Sequence, residues 1–150
     1  MNKTAFLLPL LLVAGGGHAQ QASGCPQLDP STGLTWEYRG GDGADFCRAL
    51  RADGSEAFGM YISKKPTFSP QRSNRVENGS IGGRDVQWYR AELAGQPGIE
   101  ARETLLKLDD GRSAHVWTQA PSQDQLQQAF ELTRDIDFST RHTAKAIAGQ

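Results

Sequence analysis

The sequence predicts an α+β domain: an antiparallel, meander-like sheet with one C-terminal helix packed on a face, held by one disulfide. Three observations carry this. From Leu34 to Gln119, short runs of alternating apolar and polar residues are separated by Gly- and Asp-rich turns. From Ser122 the apolar period changes from two residues to that of a helix. Cys25 and Cys47 are the only cysteines, in a chain that opens with the pattern of an export signal.

Residues 26–33 (PQLDPSTG) are turn-rich and read as irregular. Leu34 to Arg39 (LTWEYR) reads as a first strand, and Gly40 to Gly43 (GGDG) as a turn. Asp45 to Arg51 (DFCRALR) is a second strand, ended by Ala52 to Ser55 (ADGS). Glu56 to Ser63 (EAFGMYIS) is a third. Its period of two puts Phe58, Met60 and Ile62 on one face and Ala57, Gly59 and Tyr61 on the other. The second and third strands form a hairpin.

Residues 64–80 (KKPTFSPQRSNRVENGS) break the rhythm. Two prolines and the lack of alternation predict a loop over this whole stretch. Strand character resumes over Ile81 to Leu93, around Val86, Trp88 and Arg90, with Gly82-Gly83 as a bulge or sharp bend inside it. Ala94 to Gly98 turns the chain. Ile99 to Leu108 and Ser113 to Gln119 are strands joined by Asp109 to Arg112, whose Asp-Gly is the strongest hairpin signal present.

Ser122 is the expected N-cap of the helix, with Gln125 completing a capping box. Leu126, Ala129, Phe130, Thr133 and Ile136 recur on one stripe, which must face the sheet, and the helix is expected to end near Phe138. The segment LDDGRSAHVW followed by QLQQAFELTRDIDF is similar to the C-terminal half of PsbP-like bacterial domains. That resemblance covers about 40 residues and implies a fold only.

The address is read from the first residues. Lys3 supplies a short positive region, and Ala5 to Ala14 an apolar core of about ten residues, too short to span a bilayer. Gly17-His18-Ala19 places small residues where a signal peptidase needs them, so the mature chain is expected to begin at Gln20. The organisation is then a signal peptide at 1–19, a domain at 20–138 and a tail at 139–150. Lipid attachment at Cys25 is disfavoured, because Ala22 stands where a lipobox wants a Leu-like residue, and polar or small residues separate the core from the cysteine. A periplasmic location makes Cys25–Cys47 a disulfide. Closing a loop of about 22 residues contributes roughly 3 kcal/mol in the chain-entropy model.

Removing residues 1–19 takes away Lys3 and no acid, leaving 15 Lys plus Arg against 17 Asp plus Glu, a net charge of −2. Neither nucleic acid nor a membrane surface is favoured as a partner. Chemistry-bearing patterns are sparse. His115 needs a positioned partner to act as a base; Asp109 and Asp110 are near in sequence but are wanted in the turn for backbone reasons. It reads as a half-buried sheet histidine. Glu92, Glu100 and Glu103 would supply a carboxylate pair of the glycosidase kind, but alternating Glu and Arg on strands reads first as cross-strand ion pairs. No metal-ligand spacing, phosphate-binding Gly loop or cofactor motif is present. Neither a metal, a cofactor nor a catalytic residue is expected. Asn78-Gly79-Ser80 reads as a turn.

The loop at 64–80 is the exception. It holds Lys64, Lys65, Arg72 and Arg75 with no acid before Glu77, and Phe68 lies between Pro66 and Pro70. Such a loop suits insertion into an acidic cleft, with Phe68 as the anchor, Arg72 and Arg75 making charge-assisted contacts, and Lys64 and Lys65 adding to the partner-binding surface. In size, export signal and organisation the chain resembles periplasmic immunity proteins, which neutralise antibacterial toxins, and periplasmic lysozyme inhibitors. The stretch RVENGSIGGRDVQWYR is similar to a Ser-Gly strand motif of one inhibitor family. These resemblances imply a cognate protein toxin or hydrolase as partner. Three other readings stand beside this one. An envelope accessory or ligand-binding domain would use a concave sheet face bearing Trp88 or Trp117. An enzyme would depend on His115 or Glu103. An exposed edge strand would support a homodimer.

Overall fold

The computed structural model describes residues 24–92 and 96–139. The expected signal peptide, its expected cleavage site and residues 140–150 of the expected tail lie outside them. Seven strands form one sheet: Thr35–Gly41 (β1), Ala44–Leu50 (β2), Glu56–Ser63 (β3), Arg75–Ile81 (β4), Arg84–Arg90 (β5), Glu100–Lys107 (β6) and Ser113–Ala120 (β7). One helix follows, Gln123–Arg134 (α1). Every neighbouring pair is antiparallel, in the order β1-β2-β3-β7-β6-β5-β4. The predicted α+β class, the helix on one face and the disulfide are all present.

The strand order resolves the sheet into two meanders, β1–β3 and β4–β7, that meet where β3 pairs with β7. Three strands separate β3 from β4 in space. Strand alternation makes β3 and β4 parallel to each other, so residues 64–74 must cross the sheet and also travel back along its length. This segment is called the strap below.

Turn chemistry explains the hairpins. In the β1–β2 loop Asp42 (φ 52°) and Gly43 (φ 75°) are both left-handed, as a two-residue hairpin loop requires. Gly82 (φ 57°) and Gly83 (φ 73°) do the same between Ile81 and Arg84. They are therefore the β4–β5 turn, and not a bulge inside one long strand. The loop predicted over 64–80 stops at 74 in consequence. Residues 75–81 pair with β5 despite Asn78-Gly79-Ser80, because register and packing override weak strand propensity. The pairing is irregular between Arg75 and Asn78, as befits an edge. Gly79 earns its place sterically: a Cβ there would lie 2.5 Å from Trp88 Nε1.

The core lies between the sheet and α1. Ser122 caps the helix, its Oγ accepting from the Gln125 N–H at 3.3 Å. Leu126, Ala129, Phe130 and Thr133 are buried as the stripe predicted, and Phe130 stacks on Trp88 at 4.7 Å. The helix ends at Arg134, a turn earlier than expected. Ile136 is still buried, but on extended chain: Asp137 exchanges two backbone hydrogen bonds of 2.9 Å with Gln27. The N-terminal segment thus covers the same face as α1. Cys25–Cys47 ties it down, and Trp36 Nε1 donates to the Pro26 carbonyl at 2.7 Å. One buried charge network belongs to this side. Arg102, 5% exposed, grips both carboxylate oxygens of Glu77 at 2.8–3.2 Å and reaches Glu100 at 2.9 Å. Those hydrogen bonds hold the Glu77 carboxyl below its ordinary pKa, against the burial that would raise it.

Candidate binding surface

Strand register assigns the other face. Cys47, Met60, Val116 and Thr104 stand in one cross-strand row and are buried toward the helix. The rows on either side of it point the opposite way. One holds Phe46, Tyr61, His115 and Leu105; the other holds Arg48, Gly59, Trp117, Glu103 and Tyr89. Among the described residues only the strap crosses this face, and the aromatic side chains on it stay half-buried.

Four ring contacts join five side chains into a relay across it. Phe46 stacks on Trp117 at 5.6 Å, and Trp117 meets His115 edge-on at 5.6 Å. His115 stacks on Phe68 of the strap at 5.0 Å, with 15° between the planes, and Phe68 meets Tyr89 at 5.9 Å. Gly59 makes room for this. A Cβ there would lie 2.3 Å from the Trp117 ring, so the indole leans over β3 toward Phe46 on β2.

Polar groups hold the rings in place. Trp117 Nε1 donates to Glu56 at 2.9 Å; Glu56 accepts from Arg48 at 2.6 Å, and Arg48 also donates to Glu37 at 3.1 Å. His115 is held at both nitrogens, Nε2 by Glu103 at 2.9 Å and Nδ1 by the Thr67 hydroxyl at 3.3 Å. These contacts fit the tautomer with its proton on Nε2, donating to Glu103 and accepting from Thr67 on Nδ1.

The predicted partner-binding residues fall on and beside this face, with altered roles. Lys64, Lys65 and Arg72 are exposed on the strap. Arg75 is exposed too, but it opens β4 opposite Tyr89 and is not in the loop. Phe68 does not project: it is half-buried between His115 and Tyr89, and so roots the strap to the sheet. None of the four cationic side chains pairs with an acid among the described residues. The contrast is with Arg39, Arg48, Arg84, Arg102, Arg112 and Arg134, which are all in ion pairs.

Other candidates sort by face. Trp88 is fully buried on the helix side, which leaves Trp117 as the tryptophan of the free face. Glu100 and Glu103 are three apart on one strand and point to opposite faces, so they make no carboxylate pair. Glu100 joins Arg102, and Glu103 joins His115. Asp109 and Asp110, the acids nearest His115 in sequence, bind Arg84 and Arg112 instead. The Glu103–His115 contact was within reach of the sequence. Counting back from the Asp109–Arg112 hairpin puts Leu105 opposite His115 and Glu103 diagonal to it. Among the described residues no group of three His, Cys, Asp or Glu side chains is placed to hold a metal ion, and no helix is long and apolar enough to cross a membrane. Comparison of the chain with family models, curated proteins and solved structures finds no match.

Proposed function

We propose that this chain is an exported binding protein that neutralises a protein toxin or hydrolase by occupying it, as periplasmic immunity proteins and lysozyme inhibitors do. One observation carries the reading: a connected relay of half-exposed rings on the sheet face that the helix leaves bare. Rigid aromatic side chains in contact with one another are what interface hot spots are made of, since they cover much area and lose little conformational entropy on binding. The disulfide supports the address, because such bonds persist in oxidising, exported compartments. The relay supplies contact area, and the ion pairs around it keep the rings from shifting.

The test is affinity capture with two baits. A C-terminally tagged chain starting at Gln20 is expressed in the envelope, beside a Trp117→Ala version verified as folded by circular dichroism. One stoichiometric hydrolase or toxin retained by the first bait and lost from the second supports the reading. Equal retention by both removes the relay from the interface. Light scattering on the purified chain reports whether a second copy occupies the face instead.

A second reading has an observation of its own. Thr67, His115 and Glu103 line up as hydroxyl, imidazole and carboxylate, the connectivity that hydrolytic enzymes use to activate a nucleophile. It requires that His115→Ala and Glu103→Gln each abolish turnover of an activated ester. Turnover that survives both changes ends it.

A further inference from the structure

The strap and the relay are different kinds of surface, and the difference defines a partner. Lys64, Lys65, Arg72 and Arg75 lie within twelve residues of chain, exposed and without an ion-pair partner among the described residues. Phe68 and Thr67 fix the middle of this segment to His115, and Ser63 secures its start by donating to the Lys65 carbonyl. Pro66 and Pro70 limit its backbone further. Three of the cations are therefore carried on a tethered arch beside the relay and the fourth, Arg75, on the first residue of β4 where the arch lands, while most of the other described arginines are in ion pairs.

Building on the reading above, we infer that the strap is an electrostatic docking element for a carboxylate-rich protein surface that rims an apolar contact, the rim meeting the strap and the apolar part meeting Trp117 and Phe46. Charge complementarity is the argument. Unpaired cations at the edge of an interface raise the association rate and its salt dependence more than they slow dissociation; a desolvated aromatic cluster does the reverse. An anionic membrane fits less well. Glu37, Glu56 and Glu103 share the face with the relay and would meet the same lipid headgroups. Phe68, the one aromatic side chain of the strap, is turned inward against His115 and Tyr89 and is not free to insert.

The experiment uses poly-L-glutamate as the carboxylate probe and phosphatidylglycerol vesicles as the rival, with three proteins: the wild type, the quadruple variant K64E/K65E/R72E/R75E, and Arg134→Glu, which changes a paired cation on the helix side. All four substituted positions are exposed, and melting curves confirm that the variants fold. Expected is polyglutamate binding that weakens with salt, falls about tenfold or more in the quadruple variant and is unchanged in Arg134→Glu. Binding equal in all three proteins, or tighter binding to the vesicles than to polyglutamate, overturns the inference. Once a protein partner is in hand, the quadruple variant should slow association and flatten its salt dependence with dissociation unchanged, while Trp117→Ala should speed dissociation. A partner that needs Trp117 but ignores the strap charges sinks this inference and leaves the proposed function standing. A partner indifferent to both sinks the proposed function as well.

Discussion

Trp88 and Trp117 solve the same packing problem on opposite faces of the sheet. Each indole leans over a glycine of the neighbouring strand, Gly79 for Trp88 and Gly59 for Trp117, where a Cβ would collide with it. Their surroundings then diverge. Trp88 is wholly buried, stacks on Phe130 of α1, and its Nε1 has no hydrogen-bond acceptor among the described residues. Trp117 is half-exposed, meets Phe46 and His115, and its Nε1 is bonded to Glu56. The first arrangement accepts an unmet hydrogen bond for the sake of area removed from water. The second satisfies the indole N–H and leaves area exposed. Under the proposed function, that bond keeps the ring of the free face ordered for contact with a partner.

The largest expected effect separates the two directly. Trp88→Ala empties a packed site and should cost about 3–5 kcal/mol in urea unfolding. Trp117→Ala removes a ring that is already part-solvated and should cost less than half as much. In partner capture the order should reverse, with Trp117→Ala the damaging change. Equal losses of stability would mean that the free face supports the fold as much as the helix side does.

The next effect lies at the edge of the helix side. Arg102→Ala leaves Glu77 charged, partly buried and without its main partner, at a cost of about 3 kcal/mol. The pair also gives a pH signature. The folded-state pKa of Glu77 is depressed, so the contribution of its carboxylate is complete above the ordinary value of 4.5 and is lost as pH falls through the lower, folded value. The stability difference between wild type and Glu77→Gln should therefore be constant around neutral pH and shrink below 4.5. A difference that grows on acidification would contradict the assignment.

Much of the helix side was legible in the sequence, because burial writes itself as period. The alternation of Phe58, Met60 and Ile62 and the stripe from Leu126 to Thr133 both point to residues that are buried. The cysteine count and the export pattern gave the disulfide. Two things resisted. β4 looked like loop because Asn78-Gly79-Ser80 has poor strand propensity, and its strand state depends on Trp88 and β5, contacts that local pattern does not carry. The site resisted for a related reason. Phe68 stood out as the aromatic of a basic loop, but its direction depends on the strap passing over His115 of β7 on its way across the sheet to β4, which follows from strand order. The four cations needed no such knowledge, since exposure is the default for Lys and Arg.

Gly59→Ala sharpens the comparison at smaller scale. The added methyl must displace the indole of Trp117, costing about 1–3 kcal/mol as overpacking does, and should break the Glu56 bond and the contact with Phe46. Tryptophan fluorescence reads this selectively, since Trp88 lies on the other face and should keep its buried emission. Gly79→Ala should give the mirror result, disturbing Trp88 and leaving Trp117 unchanged. An unchanged spectrum in both variants would mean that the rings give way freely, and that neither glycine was needed.

The smallest effect tests how the strap is held. Thr67→Val keeps the shape of the side chain but removes the hydroxyl that His115 Nδ1 accepts at 3.3 Å. That bond is neutral, long and near solvent, so its loss should change global stability by no more than about 1 kcal/mol. The consequence should be local, because the stacking of Phe68 on His115 is then the main ring contact tying the strap to β7. Limited proteolysis between Lys64 and Arg75 should quicken in Thr67→Val and quicken further in Phe68→Ala, with little movement of the global unfolding midpoint. A protein whose whole fold melts with the strap would show instead that the crossing segment is part of the core, and the distinction between a supporting face and a contacting face would fail at the strap.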